Sequence, residues 1–188
     1  CTLLPLSALS VAAANVDLLV NGNFETGNGN GWKLESGTAV TTADVHGGSY
    51  ALKTTNTATK YQTMARQTVD VVANTDYVFT FWYKYVGSNS TPQFYAIVKD
   101  GAETGNLNDS NRTFSAAANV WTKVTINVNT GDNTSVVLVM QNRTAGDGGT
   151  YYFDDFVLIS NGSTEPEQPE TPDVPDAPGG SDEPALEN

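Results

Sequence analysis

Between Asp17 and Ser160 the hydrophobic positions fall in short runs separated by glycine, asparagine and aspartate, some alternating with polar positions at a period of two, and no stretch of useful length shows the 3.6-residue spacing of an amphipathic helix. Tyr77-Val78-Phe79-Thr80-Phe81-Trp82-Tyr83-Lys84-Tyr85 is the clearest case. Successive side chains of a strand point to opposite faces, so Tyr77, Phe79, Phe81, Tyr83 and Tyr85 share one side and Val78, Thr80, Trp82 and Lys84 the other. Runs rich in valine, threonine and aromatics predict strands at 17–20, 38–43, 49–54, 65–72, 76–86, 93–99, 120–128, 135–141 and 151–159. Between them stand turn signals: Gly47-Gly48, Asn74-Thr75-Asp76, Gly87-Ser88-Asn89, Asp100-Gly101, Gly131-Asp132-Asn133 and Gly146-Asp147-Gly148-Gly149. Eight to nine short strands at this spacing predict an all-β fold, an antiparallel β-sandwich. In the last strand Asp154 and Asp155 are neighbours, and strict alternation sends their carboxylates to opposite sides.

Both ends of the chain depart from this pattern. Six of the eight prolines lie between Pro166 and Pro184, in a stretch without aromatic residues. Such a segment buries too little apolar surface to offset its ordering entropy, so 161–188 reads as an acidic, Pro-rich disordered linker. Eight acids and no base fall there, which leaves 13 acids against 9 bases before it. The net charge of −12 is therefore mostly the linker's, and the acidic balance argues against nucleic acid as a partner. Residues 1–14 are mostly apolar and end in Ala12-Ala13-Ala14, the pattern of a signal-peptide remnant cleaved after about Ala14. Two other readings stand beside it: Cys1 as the lipid-carrying first residue of a lipoprotein, or a further core strand, which Pro5 disfavours. The first two readings both mean export, to the outside or the cell surface. Between these ends, 15–160 is expected to be one module. It contains no cysteine and no stretch long enough to span a membrane.

Catalytic chemistry finds little footing in these residues. His46 is the only histidine, no serine sits in a nucleophile-elbow setting, and His46-Gly47-Gly48 reads as a turn. Glu25, Glu35, Asp44, Asp100 and Glu103 all lie near turn signals, where acids are usually solvated or bonded to local backbone. Zinc would need several histidine or cysteine ligands, and the body offers only His46. A hard cation is the better match, because calcium takes six to eight oxygens, backbone carbonyls included. Glu25 beside Asn21-Gly22-Asn23, with an aspartate of the last strand, could supply some of them, although a hydrogen-bonded turn explains the same residues. Sugar recognition, finally, needs flat exposed rings and side-chain amides. Trp82 breaks the polar face of its strand, and Tyr61 and Tyr95 are further candidates, with Tyr83 and Tyr85 weaker ones. Trp121, within Val120-Trp121-Thr122-Lys123-Val124, is assigned to the core.

Five segments in series carry a family resemblance. They are Leu18-Leu19-Val20-Asn21-Gly22-Asn23-Phe24-Glu25 with Gly31-Trp32, His46-Gly47-Gly48-Ser49-Tyr50-Ala51-Leu52, Tyr77 to Lys84, Trp121-Thr122-Lys123, and Tyr152-Phe153-Asp154-Asp155-Phe156-Val157-Leu158. Together they resemble the carbohydrate-binding modules of the family 4/9/22 type over about residues 15 to 160. The resemblance implies a galactose-binding-like jelly roll with a structural calcium held by Glu25, nearby backbone carbonyls and Asp154, close to the His46-Gly47-Gly48-Ser49 turn. It further implies that Tyr61, ahead of Gln67, lines a sugar cleft, where relatives often place tryptophan. Alternation and side-chain chemistry add Trp82, Gln93, Tyr95 and Gln141 as cleft candidates. The expected function is non-catalytic binding of a xylan- or β-glucan-class polysaccharide by a monomeric module tethered to a glycoside hydrolase. The competing expectation is a structural or adhesion sandwich of the same fold without a sugar cleft; an enzyme with acids on its concave face is a third.

Overall fold

The computed structural model describes residues 16–35, 37–55, 61–109, 113–115, 119–143 and 148–161. The segments expected to be a signal-peptide remnant (1–14) and a linker (all of 161–188 except Asn161) lie outside them. Ten strands follow one another in the described chain: β1 Lys33–Leu34, β2 Thr38–Thr41, β3 Ala51–Thr55, β4 Thr63–Asp70, β5 Asp76–Val86, β6 Gln93–Asp100, β7 Thr113–Ser115, β8 Thr122–Asn129, β9 Ser135–Asn142 and β10 Thr150–Ser160. They form two five-stranded sheets, the first in the order β1-β4-β9-β6-β7 and the second in the order β2-β3-β10-β5-β8. Every pairing is antiparallel. From β3 to β10 the chain crosses between sheets at nearly every step, which makes the antiparallel sandwich expected from the turn spacing a jelly roll.

The alternation of β5 sets the core. Tyr77, Phe79, Phe81, Tyr83 and Tyr85 are all buried, and they meet Phe94, Ala96 and Val98 of β6 and Val136, Leu138 and Met140 of β9 from the opposite sheet. Tyr83 and Tyr85 are thus core residues and no part of a sugar site. Fully burying each such ring is worth roughly 2–3 kcal/mol against leaving it in water, and the rings also meet at favourable tilted and edge angles, as in Phe94 on Tyr83 with centroids 4.9 Å apart.

Eight of the nine expected strands are present, 76–86 with the expected ends and the others with shifted ones, and two are added. The additions, β1 and β7, are two and three residues long, too short to show a period. The expected strand at 17–20 is absent for a specific reason. Leu18 N donates to Leu158 O (3.0 Å), but Leu158 N donates to the Asp17 carboxylate (2.9 Å) instead of a backbone carbonyl. Val20 then turns to the other sheet, where its N–H and C=O both bond the buried Gln67 amide (2.9 and 3.0 Å). A side chain at each end takes the place of the ladder. Gly22 completes this run against β10: Phe156 N donates to its carbonyl (3.0 Å), and a β-carbon at Gly22 would stand 2.1 Å from Phe156 O.

Trp121 is not a core residue. It is half-buried and precedes β8, whose inward positions are Val124, Ile126 and Val128, so it shares the outward parity of Lys123 and Thr125. Its ring stands edge-on to His46, 5.6 Å away.

Candidate functional site

The outer face of the first sheet gathers four of the five expected sugar-binding residues. Tyr95 on β6 lies directly across from Gln141 on β9. Gln93, two positions back on β6, therefore shares their face and sits across from Ser115 of β7, to whose hydroxyl its amide points (3.4 Å). Tyr61, just before β4, brings its ring near-parallel to Tyr95, with centroids 6.1 Å apart and planes at 18°. Half of Tyr61 remains exposed. Below these rings Ile97, Val137 and Val139 form a small apolar cluster apart from the main core, with Tyr95 packed on it.

Tyr61 is held in an unusual conformation. Its φ is +70°, the left-handed region that costs an ordinary side chain roughly 1–2 kcal/mol. Bulky residues keep such a conformation only where their surroundings fix it, and here the agent is Asn142 at the end of β9. Tyr61 N donates to Asn142 O (3.1 Å), Asn142 N donates to Gln62 O (3.0 Å), and the buried Asn142 side chain accepts from Gln62 N. Beside it Arg143 donates from Nε to the Tyr95 hydroxyl (2.9 Å) and from Nη1 to the Gln93 side-chain oxygen, with its guanidinium 5.5 Å from the Tyr95 ring centre. Neither Asn142 nor Arg143 was among the expected site residues. Extending the alternation Val137, Val139, Gln141 by one step would have placed Arg143 on this face. Farther along the sheet a polar cavity of about 430 Å³ opens among Gly31, Lys33, Arg66, Gln67, Thr68 and Glu103.

Trp82, the fifth candidate, lies on the other sheet. It faces outward from β5 opposite Asp154 of β10, and the His46 ring covers it, stacked at 3.9 Å and 17°. Lys84 on the same face pairs with Asp44 at 2.7 Å, so the connection from β2 to β3 is fastened over this surface. Trp82 anchors that connection and is separated by the thickness of the sandwich from Tyr61 and Tyr95.

The corner formed there is where Glu25 and Asp154 meet the 46–50 turn. Glu25 Oε1 accepts from Ser49 N (2.9 Å) and Tyr50 N (2.8 Å). Asp154 Oδ2 accepts from His46 N (2.9 Å) and Gly47 N (3.1 Å), and its Oδ1 from Asp155 N (2.8 Å). Asp155 reaches the same turn, with Oδ2 2.6 Å from His46 Nδ1. Strict alternation would have sent the two aspartates apart. A bulge overrides it: the step from Asp154 to Val157 on β10 faces only Trp82 to Thr80 on β5, and Asp155 takes a left-handed φ of +49°. Asp154 is fully buried, and its pKa is raised to about 6, first by desolvation and then by the adjacent Asp155 charge, against the pull of the three backbone N–H groups.

These oxygens are of the kind calcium takes, and among the described residues no Lys or Arg stands against buried Asp154. Among the described residues, however, no three His, Cys, Asp or Glu side chains group closely enough to ligate one ion.

The described residues thus bring tyrosines and amides together on one outer face of a two-sheet sandwich. The chain belongs to the CBM 4/9 family, the carbohydrate binding domain whose pattern matches residues 16–147, and such modules are non-catalytic. It is 29% identical over 151 residues to endo-1,4-beta-xylanase A of Thermoanaerobacterium saccharolyticum, a match that takes in 76% of this chain and 13% of the xylanase. Among solved structures it is similar to the CBM22-1 xylan-binding domain of Paenibacillus barcinonensis Xyn10C, at 20% identity and a TM-score of 0.59, covering 80% of this chain and 97% of that one. A family 61 module in complex with β-1,4-galactotriose is likewise 20% identical, with a TM-score of 0.56 over 78% of this chain and 99% of that one. At these identities the structural likeness establishes the fold. Among the described residues no helix is long and apolar enough to cross a membrane.

Proposed function

We propose that the module binds a polysaccharide of the xylan or β-glucan class on the outer face of its first sheet, at Tyr61, Tyr95, Gln93 and Gln141. The observation that carries this reading is Tyr61 itself, a half-exposed ring kept in a costly backbone conformation by Asn142 and set near-parallel to Tyr95. Rigid rings lose little entropy when a sugar stacks on them, and the two glutamine amides can each donate to and accept from hydroxyls. The xylanase and xylan-binding relatives support the polymer class. The module acts by proximity: it holds an appended glycoside hydrolase beside the polymer and raises its effective concentration there. The acidic, Pro-rich residues after 160 serve as the spacer to that enzyme, and the protein is exported. Calcium at the Glu25 and Asp154 corner is a structural element of the same reading, supported by the buried, oxygen-rich and uncompensated Asp154.

Affinity electrophoresis against xylan, mixed-linkage glucan, laminarin, mannan and pectin tests the function. Retardation by xylan or a β-glucan is the expected result. Free migration through every polymer would favour the structural or adhesion sandwich.

A further inference from the structure

The charges on the sugar face are unlike those of the chain as a whole. The chain carries a net −12, yet among the described residues Lys33, Arg66, Lys99 and Arg143 all stand on the outer face of the first sheet. Two are already offset. Arg66 forms a fork to both Glu103 oxygens (3.2 and 3.3 Å), and Lys33 lies 3.7 Å from Glu35. Lys99 leans on the backbone carbonyl of Glu103 (3.4 Å). Asp70, the other acid with this parity, is across from Ser135, six positions along β9 from Gln141 and away from the tyrosines.

Arg143, like Lys99, has no carboxylate paired with it among the described residues, but unlike Lys99 it stands against Tyr95. Its guanidinium is half-buried and fixed at three points, by the Tyr95 hydroxyl, the Gln93 side-chain oxygen and the Tyr95 ring. Those contacts use Nε and Nη1, and Nη2 keeps its donors. A guanidinium already held in one plane loses little freedom when it takes a carboxylate, and partial burial weakens the screening of its charge. Neutral sugars need only the amides beside it. The position of the group matters equally: Arg143 stands against Tyr95, beside the ring pair on which a sugar would stack.

Resting on the polysaccharide reading above, we infer that this face selects an acidic polymer, one whose sugars carry uronic-acid carboxylates, and that Arg143 is the residue that takes the carboxylate. The test offers the whole chain two forms of one ligand, glucuronoxylan and the same polymer with its carboxyls reduced to alcohols, beside neutral mixed-linkage glucan. The acidic form should bind about tenfold tighter at low salt, the scale of a charge-assisted hydrogen-bonded pair. Added salt should shrink that advantage. Arg143→Gln should bring the ratio of acidic to neutral affinity close to one, and Arg143→Lys, which keeps the charge, should retain part of it, each variant being checked for an unchanged melting temperature. Equal binding of the two xylans, a preference that survives Arg143→Gln, or binding of the neutral glucan alone would overturn the inference and leave the polysaccharide reading standing. Binding of none of the three would refute the inference, and free migration through the whole electrophoresis panel as well would refute both.

Discussion

Substituting Asp154 by asparagine isolates the most unfavourable charge in the fold. In the native protein this carboxylate is fully buried, and its pKa lies near 6 instead of 3.8. The folded state therefore holds the proton more tightly than the unfolded chain does. Stability that is complete below about pH 4 is lost as the pH rises through about 6. The gap between 3.8 and about 6 sets that loss at about 3 kcal/mol in the absence of a cation. Asp154→Asn has no such titration. It retains one acceptor for the His46 and Gly47 amides but turns an NH2 toward Asp155 N, so at pH 4 it should be less stable than wild type by about 1–2 kcal/mol. Urea unfolding of both proteins with chelator, from pH 4 to 7.5, should show the wild-type advantage shrinking with pH and vanishing or reversing near neutrality. A bound calcium ion favours the ionised carboxylate, so calcium should restore the wild-type advantage at pH 7 and raise its melting temperature, while asparagine should respond weakly. A difference between the proteins that stays flat with pH would refute the account of Asp154, and a melt indifferent to calcium and chelator would refute the ion.

Two further substitutions separate scaffold from site. Trp82→Ala removes the ring under His46 and should cost about 3 kcal/mol in unfolding free energy, yet leave polysaccharide retardation unchanged at temperatures where the protein is folded. Gly22→Ala forces a β-carbon to 2.1 Å from a backbone oxygen of β10, so it should cost more than about 3 kcal/mol by denaturant unfolding or leave the protein insoluble; a near-neutral value would contradict the close approach.

What the residues revealed in advance follows from the range of the physics involved. The two faces of β5 were legible because period-two alternation is local and persists over eleven residues. The same rule, applied within the expected strand at 120–128, would have moved Trp121 out of the core, and carried one step beyond the expected strand at 135–141 it would have put Arg143 on the face of Gln141. The alternation does not say which sheet a strand joins, and so Trp82 was grouped with Tyr61 and Tyr95 although the core lies between them. The corner was hidden for another reason. A one-residue bulge in β10 and a left-handed Asp155 bring two adjacent carboxylates to one turn, and nothing in Asp154-Asp155 announces a bulge. Likewise, Asp17-Leu18-Leu19-Val20 has strand composition, but its Asp17 carboxylate, in place of a backbone carbonyl, accepts from Leu158 N, and Val20 bonds Gln67, forty-seven residues away.

The claim at the centre of this account is that Tyr61 and Tyr95 form the sugar platform. Affinity electrophoresis of the wild type, Tyr61→Ala and Tyr95→Ala in the polymer that retards the wild type, with the melting temperature of each, tests it most directly. Losing one ring should weaken binding about tenfold, on the scale of an aromatic contact. Tyr61→Ala, at a half-exposed position, should shift the melt by only a few degrees. Wild-type retardation of both variants would contradict the account, as would a collapse in the stability of Tyr61→Ala, which would make that ring part of the core.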